Sequence, residues 1–159
     1  MASNRNIIKT YNDTVYKKPM YAGHMDENWL MHYNSLRQVC DAYIEIKEIS
    51  YRKKFIMEKI NIKYNFLEAL ENNVECVLPQ YLSIKAKSLE YFEMTNFIHT
   101  DLNIKNIVVD SKHKLRIIDP DSCFFINSLE NFYKCKTKMI ETYITAQEQF
   151  FINVKRKFK

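Results

Sequence analysis

The segment His99-Thr100-Asp101-Leu102-Asn103-Ile104-Lys105-Asn106, followed after a short strand-like run by Ile117-Ile118-Asp119-Pro120-Asp121, constrains this chain more than any other stretch. Ile107-Val108-Val109 and Leu115-Arg116-Ile117-Ile118 are apolar runs rich in β-branched residues. Between them lies Asp110-Ser111-Lys112-His113-Lys114, a polar turn, so the pattern predicts a β-hairpin. Such a hairpin carries Asn106 and Asp119 to the same end. The fold must therefore present a carboxylate, an amide and a second carboxylate on two adjoining β-rich segments.

Those residue types suit one chemistry. A hydroxyl attacking a γ-phosphoryl group needs an acceptor for its proton and an in-line approach, while the phosphate oxygens need cations to spread their charge. Asp101 suits the first task. Asn106 can offer a hard cation a neutral carbonyl oxygen and Asp119 an anionic one, a pair that suits magnesium and leaves positions open. On these residues the chain resembles the protein-kinase-like superfamily, especially its small atypical members related to aminoglycoside phosphotransferases and lipopolysaccharide-core kinases. Their H-G-D-L-x-x-x-N and I-D-x-x motifs are similar to residues 99–106 and 118–121. The resemblance implies Asp101 as catalytic base, Asn106 and Asp119 as magnesium ligands, and His99 as an organiser of the loop. It also implies ATP and Mg2+ as cofactors and an α+β fold, a minimal protein-kinase-like one with a small β-rich N-terminal lobe, one helix within it, and a mainly helical C-terminal lobe.

The likeness extends in both directions. Residues 7–11 and 14–18 alternate around Asn12-Asp13 and read as a hairpin, whose second strand resembles the one carrying the ATP-phosphate lysine. Val15 and Lys17 share a face at period two, which favours Lys17 over Lys18 as the residue pointing at the nucleotide. Trp29, Tyr33, Leu36 and Cys40 form a helical stripe opened by Asp26 and Glu27. If a helix carboxylate pairs with the lysine, as in the family, Glu27 is the better candidate. Residues 42–52 and 54–60 read as strands, and Phe55-Ile56-Met57-Glu58-Lys59-Ile60 resembles the strand and hinge that hold adenine through backbone groups, which implies Glu58 and Ile60 as nucleotide-binding positions. Helical spacing is read over 61–73 (Ile62, Phe66, Leu70), over 79–96 (Leu82, Ala86, Leu89, Phe92), and after Cys123 (Leu129, Phe132, Met139, Tyr143, Phe150).

At 159 residues the chain is expected to form a single kinase-like domain over 1–159, with a seam near Asn61 dividing an N-lobe, 1–60, from a C-lobe, 61–159. It departs from the family pattern in several places. Its only glycine, Gly23, follows the lysine strand, so no Gly-rich loop is present, and phosphate grip falls to Lys17 and to backbone amides near Asn12. The long activation segment and its A-P-E motif are missing. Asn103 stands where protein kinases have lysine two residues after the catalytic Asp, and Asp121 replaces the glycine of D-F-G.

Net charge is +5, ending in a basic run from Lys155 to Lys159 that suits a helix C-terminus. The aromatics fall at core spacing rather than interleaving a basic stripe, so nucleic acid is not the expected partner. Four scattered cysteines without C-x-x-C pairs read as reduced thiols of a cytoplasmic protein, and no apolar run approaches a membrane span. The abundance of Asn, Lys, Ile and Tyr is what an AT-rich genome, such as a virus or phage, encodes. The leading reading is an ATP- and magnesium-dependent phosphotransferase acting on a hydroxyl of a protein or small molecule. The alternative is a catalytically inactive kinase-like binding module that captures or inhibits a partner protein.

Overall fold

The computed structural model describes residues 7–11, 14–18, 23–50 and 54–157; the Asn12-Asp13 turn lies outside the described residues. Strands β1 (Ile7–Tyr11) and β2 (Thr14–Lys18) pair antiparallel and join β3 (Ile46–Ile49) and β4 (Phe55–Glu58) in a sheet of order β1-β2-β4-β3. Alternation decides the buried side: Phe55 and Met57 of β4 are buried, as is Lys17 of β2, while Lys18 is exposed.

Helix α1 (Glu27–Val39) begins where Asp26, in extended backbone, accepts the Trp29 N–H on its carboxylate at 2.9 Å. The stripe Trp29, Tyr33, Leu36 and Cys40 is buried, as its spacing predicts. Trp29 and Tyr33 stack with ring centroids 5.1 Å apart. Their polar tips are satisfied in the dry interior, the indole N–H donating to the Cys123 carbonyl at 2.7 Å and the Tyr33 hydroxyl to the Ile44 carbonyl at 2.6 Å. One helix face thereby anchors segments on either side of the core.

The chain continues through β5 (Ile62–Asn65), α2 (Phe66–Glu71), α3 (Val77–Thr95), β6 (Phe97–His99), β7 (Ile107–Asp110), β8 (Leu115–Ile117), β9 (Cys123–Phe125) and α4 (Leu129–Lys157). The expected hairpin is β7–β8, with Ile107 opposite Ile117, and β5 adds to it in the order β5-β7-β8. The hairpin is tied to the segment before β3 by Ile117 N–H donating to the Ala42 carbonyl at 2.7 Å, and to the first sheet by an Arg116–Glu58 ion pair. The result is the α+β arrangement read from the sequence: a small antiparallel sheet with one helix, then a mainly helical half. No helix among the described residues is long and apolar enough to cross a membrane.

Four elements differ from the sequence reading. Residues 62–65 form a strand rather than the start of a helix. Asn65 stops the helix there: its side chain accepts the Glu68 N–H at 2.8 Å and its amide meets the Glu68 carboxylate, a reciprocal cap. Helix α3 buries Tyr81, Ile84, Ser88, Tyr91 and Phe92 and leaves Leu82 41% exposed and Ala86 exposed, so its inner face is rotated from the expected stripe. The rotation follows from polar tips finding partners: Tyr81 donates to the Met139 carbonyl at 3.0 Å, and Ser88 meets the Tyr43 hydroxyl at 2.6 Å. Leu129 is 72% exposed rather than core, and the short strand β9 is unforeseen.

The rotation has a measurable consequence. Tyr81→Ala removes a fully buried ring and is expected to lower unfolding free energy by about 3–5 kcal/mol, whereas Leu82→Ala is expected to cost about 1 kcal/mol or less. Urea unfolding midpoints of the two variants check the ranking; comparable losses would restore the stripe read from the sequence.

Candidate active site

The residues singled out between positions 99 and 121 converge because two short ladders end at the same place. β6 pairs β9 with His99 opposite Cys123, which sets residues 119–122 beside the loop that follows β6. Thr100 fastens this contact, its N–H and hydroxyl donating to the Ser122 carbonyl at 2.8 and 2.7 Å. At the end of β7–β8, Ile118 N–H donates to the Asn106 carbonyl at 2.9 Å, so Asn106 and Asp119 lie at one end of the hairpin.

His99 is the pin between the two motifs. It is buried, and the Asp101 N–H donates to its Nδ1 at 3.1 Å. The ring proton is thereby placed on Nε2, which donates to the Asp119 carbonyl at 3.0 Å and lies 3.3 Å from that of Ile118. Burial pushes the His99 pKa down, against the pull of Asp119, so the ring is neutral when it makes these bonds.

Asp119 itself adopts φ 68° and ψ 55°, a left-handed conformation uncommon outside glycine. Such backbone persists where its surroundings over-determine it. Here the His99 bond, the Ser122 N–H to the Asp119 carbonyl at 3.1 Å and the Ser122 hydroxyl to its Oδ2 at 2.8 Å all act on one residue. Lys17 reaches it from β2, 102 residues away in sequence, forming ion pairs with Asp119 and, at 2.7 Å, with Asp121. Burial alone would lower the Lys17 pKa; the two carboxylates overcome it and raise it. Burial also disfavours charge on Asp119, yet Lys17 and Ser122 hold its carboxyl down at about 2. Asp121 moves the other way, raised by its burial and by Asp119 beside it.

Asp101 carries two further contacts on Oδ1, from the Asn103 amide at 2.8 Å and from Lys138 of α4 at 3.2 Å. The Asn106 amide nitrogen donates to the Asp101 carbonyl at 2.7 Å, which leaves its oxygen as the atom to offer a cation. Among the described residues no group of three His, Cys, Asp or Glu forms a metal cage. An amide oxygen and one or two carboxylates are the sparse, all-oxygen set that suits magnesium, which keeps waters and takes phosphate oxygens as its other ligands. The residues present therefore fit that ion.

The remaining expectations fare differently. Glu27 is exposed in the first turn of α1, and the carboxylates on Lys17 are Asp119 and Asp121, so the expected Lys17–Glu27 pair is replaced. The physical reason is that Asp121 occupies a glycine position of the family pattern and brings its own carboxylate to the lysine. Glu58 directs its side chain to Arg116 and to the Glu45 N–H, and its own N–H donates to the Glu45 carbonyl at 3.0 Å, so that donor is engaged within the protein. Ile60 is half-buried in the connection between β4 and β5. Sequence reasoning assigned no role to Asp121, Ser122 or Lys138. Asp121 had a local signal, a carboxylate two residues from Asp119; Lys138 had none, since it lies 37 residues from Asp101.

The neutral imidazole sets a pH dependence. An unfolded histidine gains its proton near pH 6.5, while folded His99 gains it only at lower pH, so the unfolded state binds more protons in that window. Stability is expected to fall as pH drops below about 6.5, and His99→Asn to flatten that part of the profile. Thermal midpoints between about pH 7.5 and 5 measure it; identical slopes in the two proteins would place the ring outside the linkage.

A family model for protein tyrosine and serine/threonine kinases matches residues 7–154, a span that includes Lys17, Asp101, Asn106 and Asp119. No curated protein sequence matches the chain. With the match running from the first strand into the last helix, the chain belongs to the protein tyrosine and serine/threonine kinase family.

Proposed function

We propose that this chain is an ATP- and magnesium-dependent phosphotransferase that moves the γ-phosphoryl group onto a hydroxyl of a protein or small molecule. It works as a single domain with its lobes divided near Asn61, in the cytoplasm, where its four free cysteines stay reduced. The observation that carries the reading is the convergence on one small region of a buried lysine, a strained aspartate paired with it, and an aspartate–asparagine loop pinned to that aspartate through His99.

Each residue has a task set by its surroundings. Lys17 supplies a charge fixed in place by two carboxylates, so it needs no reorganisation when phosphate arrives. Asn106 and Asp119 would hold magnesium, which supplies charge neutralisation at the phosphate oxygens. Asp101 orients the acceptor hydroxyl and takes its proton, with Asn103 fixing the carboxylate's rotation. Glu58 and Ile60 border the nucleotide region as strand-end positions rather than through charge, and Glu27 serves the helix N-terminus.

One feature favours the second reading, a silent binding module. Asp119 and Asp121 together outnumber Lys17 in charge, so a triphosphate meets a net negative site unless a divalent cation accompanies it. The two readings separate in transfer rather than in binding.

Nucleotide is accordingly expected to raise the melting temperature only with magnesium present, and Asp119→Asn to abolish the shift. A nucleotide shift unchanged in that variant would remove Asp119 from the site. Incubation with labelled ATP and magnesium is expected to yield phosphorylated acceptor or released phosphate, and Asp101→Asn to keep the thermal shift while lowering transfer on the order of a hundredfold or more. Binding without any transfer by the wild type would leave the silent module as the function.

A further inference from the structure

Helix α4 turns one face to the core through Cys135, Met139 and Ala146, yet its opposite face is not polar. Tyr133, Ile144 and Phe151 are 59%, 46% and 51% exposed there, and Ile140 is half-buried. With Thr137 and Gln147 they recur at alternating steps of four and three residues, the heptad spacing of a helix that pairs with another helix. From Tyr133 to Phe151 the stripe runs about 27 Å. Singly scattered apolar residues are ordinary on a surface, but a continuous row of them marks an interaction face.

The flanks of the stripe say what covers it. Lys136 lies on one flank and Glu141, five residues later, on the other. The same step of five separates Tyr143 from Glu148, with Lys85 of α3 held over the Tyr143 ring at 4.5 Å, and Phe150 from Lys155. Two parallel helices in register set each first residue of such a pair opposite the second residue on the neighbouring helix. Lys136 then meets Glu141 of the second copy, Lys85 meets Glu148, and the Phe150 ring meets the Lys155 cation. An antiparallel pair would set each flank against its own kind. The ion pairs of α4 among the described residues are Lys134–Glu130 and Lys138–Asp101, which leaves Lys136, Glu141 and Glu148 for a partner.

We propose that this face binds a second copy of the chain, α4 against α4 in parallel about a two-fold axis. The face is self-complementary, as a two-fold contact requires: what Lys136 does for the second copy's Glu141, the second copy's Lys136 does in return. The two polar residues of the stripe fit the same arrangement. Thr137 and Gln147 each meet their own counterpart across the axis, where the Gln147 amide N–H can donate to the amide oxygen of the other, so neither is orphaned and the register is fixed. The helix is also formed before it associates. Its inner face is fastened by Tyr81 donating to the Met139 carbonyl and Asn153 to the Leu70 carbonyl, so little ordering cost remains to be met on binding.

Sedimentation equilibrium of the full chain between about 1 and 300 μM is the test. The mass is expected to rise from that of one chain toward that of two, and Ile144→Glu to weaken association about tenfold or more. Ile144 is half exposed, so an unfolding midpoint near wild type at the lowest concentration excludes a folding defect. Lys136→Glu and Glu141→Lys are each expected to weaken self-association about tenfold, because each sets like charges together at both symmetric contacts. An equal mixture of these two variants is expected to associate as wild type does, since every contact in the mixed dimer again joins opposite charges. A wild type that stays a single chain at every concentration overturns the proposal, and its sedimenting then with anionic lipid vesicles would assign the face to a membrane surface instead. A dimer indifferent to Ile144→Glu overturns the interface, and two weakened variants that do not recover on mixing overturn the parallel pairing.

Discussion

The ammonium of Lys17 is buried between two carboxylates that reach it from the other half of the chain, Asp119 and Asp121. An ion removed from water is tolerated only when paired, and losing one partner of such a pair costs about 3–5 kcal/mol in general. Net stabilisation is not what the triad provides, since the desolvation of three charges offsets much of their attraction. Its effect is positional. A strand near the chain's start and a turn 102 residues later have one mutual placement in which no charge is orphaned, and that placement joins the first sheet to the Asp101 loop. On the proposed reading, a cation on Asp119 would still leave Asp121 to compensate Lys17.

His99 performs the complementary task without charge. A protonated ring could not accept from the Asp101 N–H, so the bridge from loop to Asp119 exists only in the neutral tautomer. Burial supplies that neutrality. The left-handed backbone of Asp119, of order 1–3 kcal/mol unfavourable for a residue other than glycine, is sustained by bonds from His99 and Ser122. Strain is concentrated at the residue read as a metal ligand, and the surrounding hydrogen bonds are spent on holding it.

What the sequence revealed and what it hid divide along physical lines. The first hairpin, the β7–β8 hairpin, α1 and the inward face of Lys17 were legible because each follows from a local period of two or of 3.6. The α3 face was misread because apolarity alone ranked Leu82 and Ala86 above Tyr81 and Ser88, whose hydroxyls are admitted to the core by partners distant in sequence. Strand β5 was misread because Ile62, Phe66 and Leu70 fit a helix equally well until Asn65 is recognised as a cap. Asp101, Asn106 and Asp119 were legible as a set because their spacing is short. Lys138 was not, since only tertiary packing of α4 brings it to Asp101; nor was the replacement of Glu27 by Asp121 as a partner of Lys17, which depends on where the turn after β8 ends.

Solvent access is graded across the site, and the grading orders its chemistry. Lys17 is 5% exposed at the side chain and Asp121 12%, whereas Asp101 is 41% and Lys138 52% exposed. Charge–charge interactions strengthen as water is excluded, by severalfold between a wet surface and a partly buried pair. The Lys17 end is therefore strongly coupled, which on the proposed reading suits phosphates that are the same in every cycle. At the Asp101 end the same kinds of charge interact more weakly, which on the proposed reading suits an acceptor that must enter and leave. A chain with a single glycine cannot build a flexible phosphate-covering loop from glycines. On the proposed reading, the fixed charges of Lys17, Asp119 and Asp121 at the dry end stand in its place.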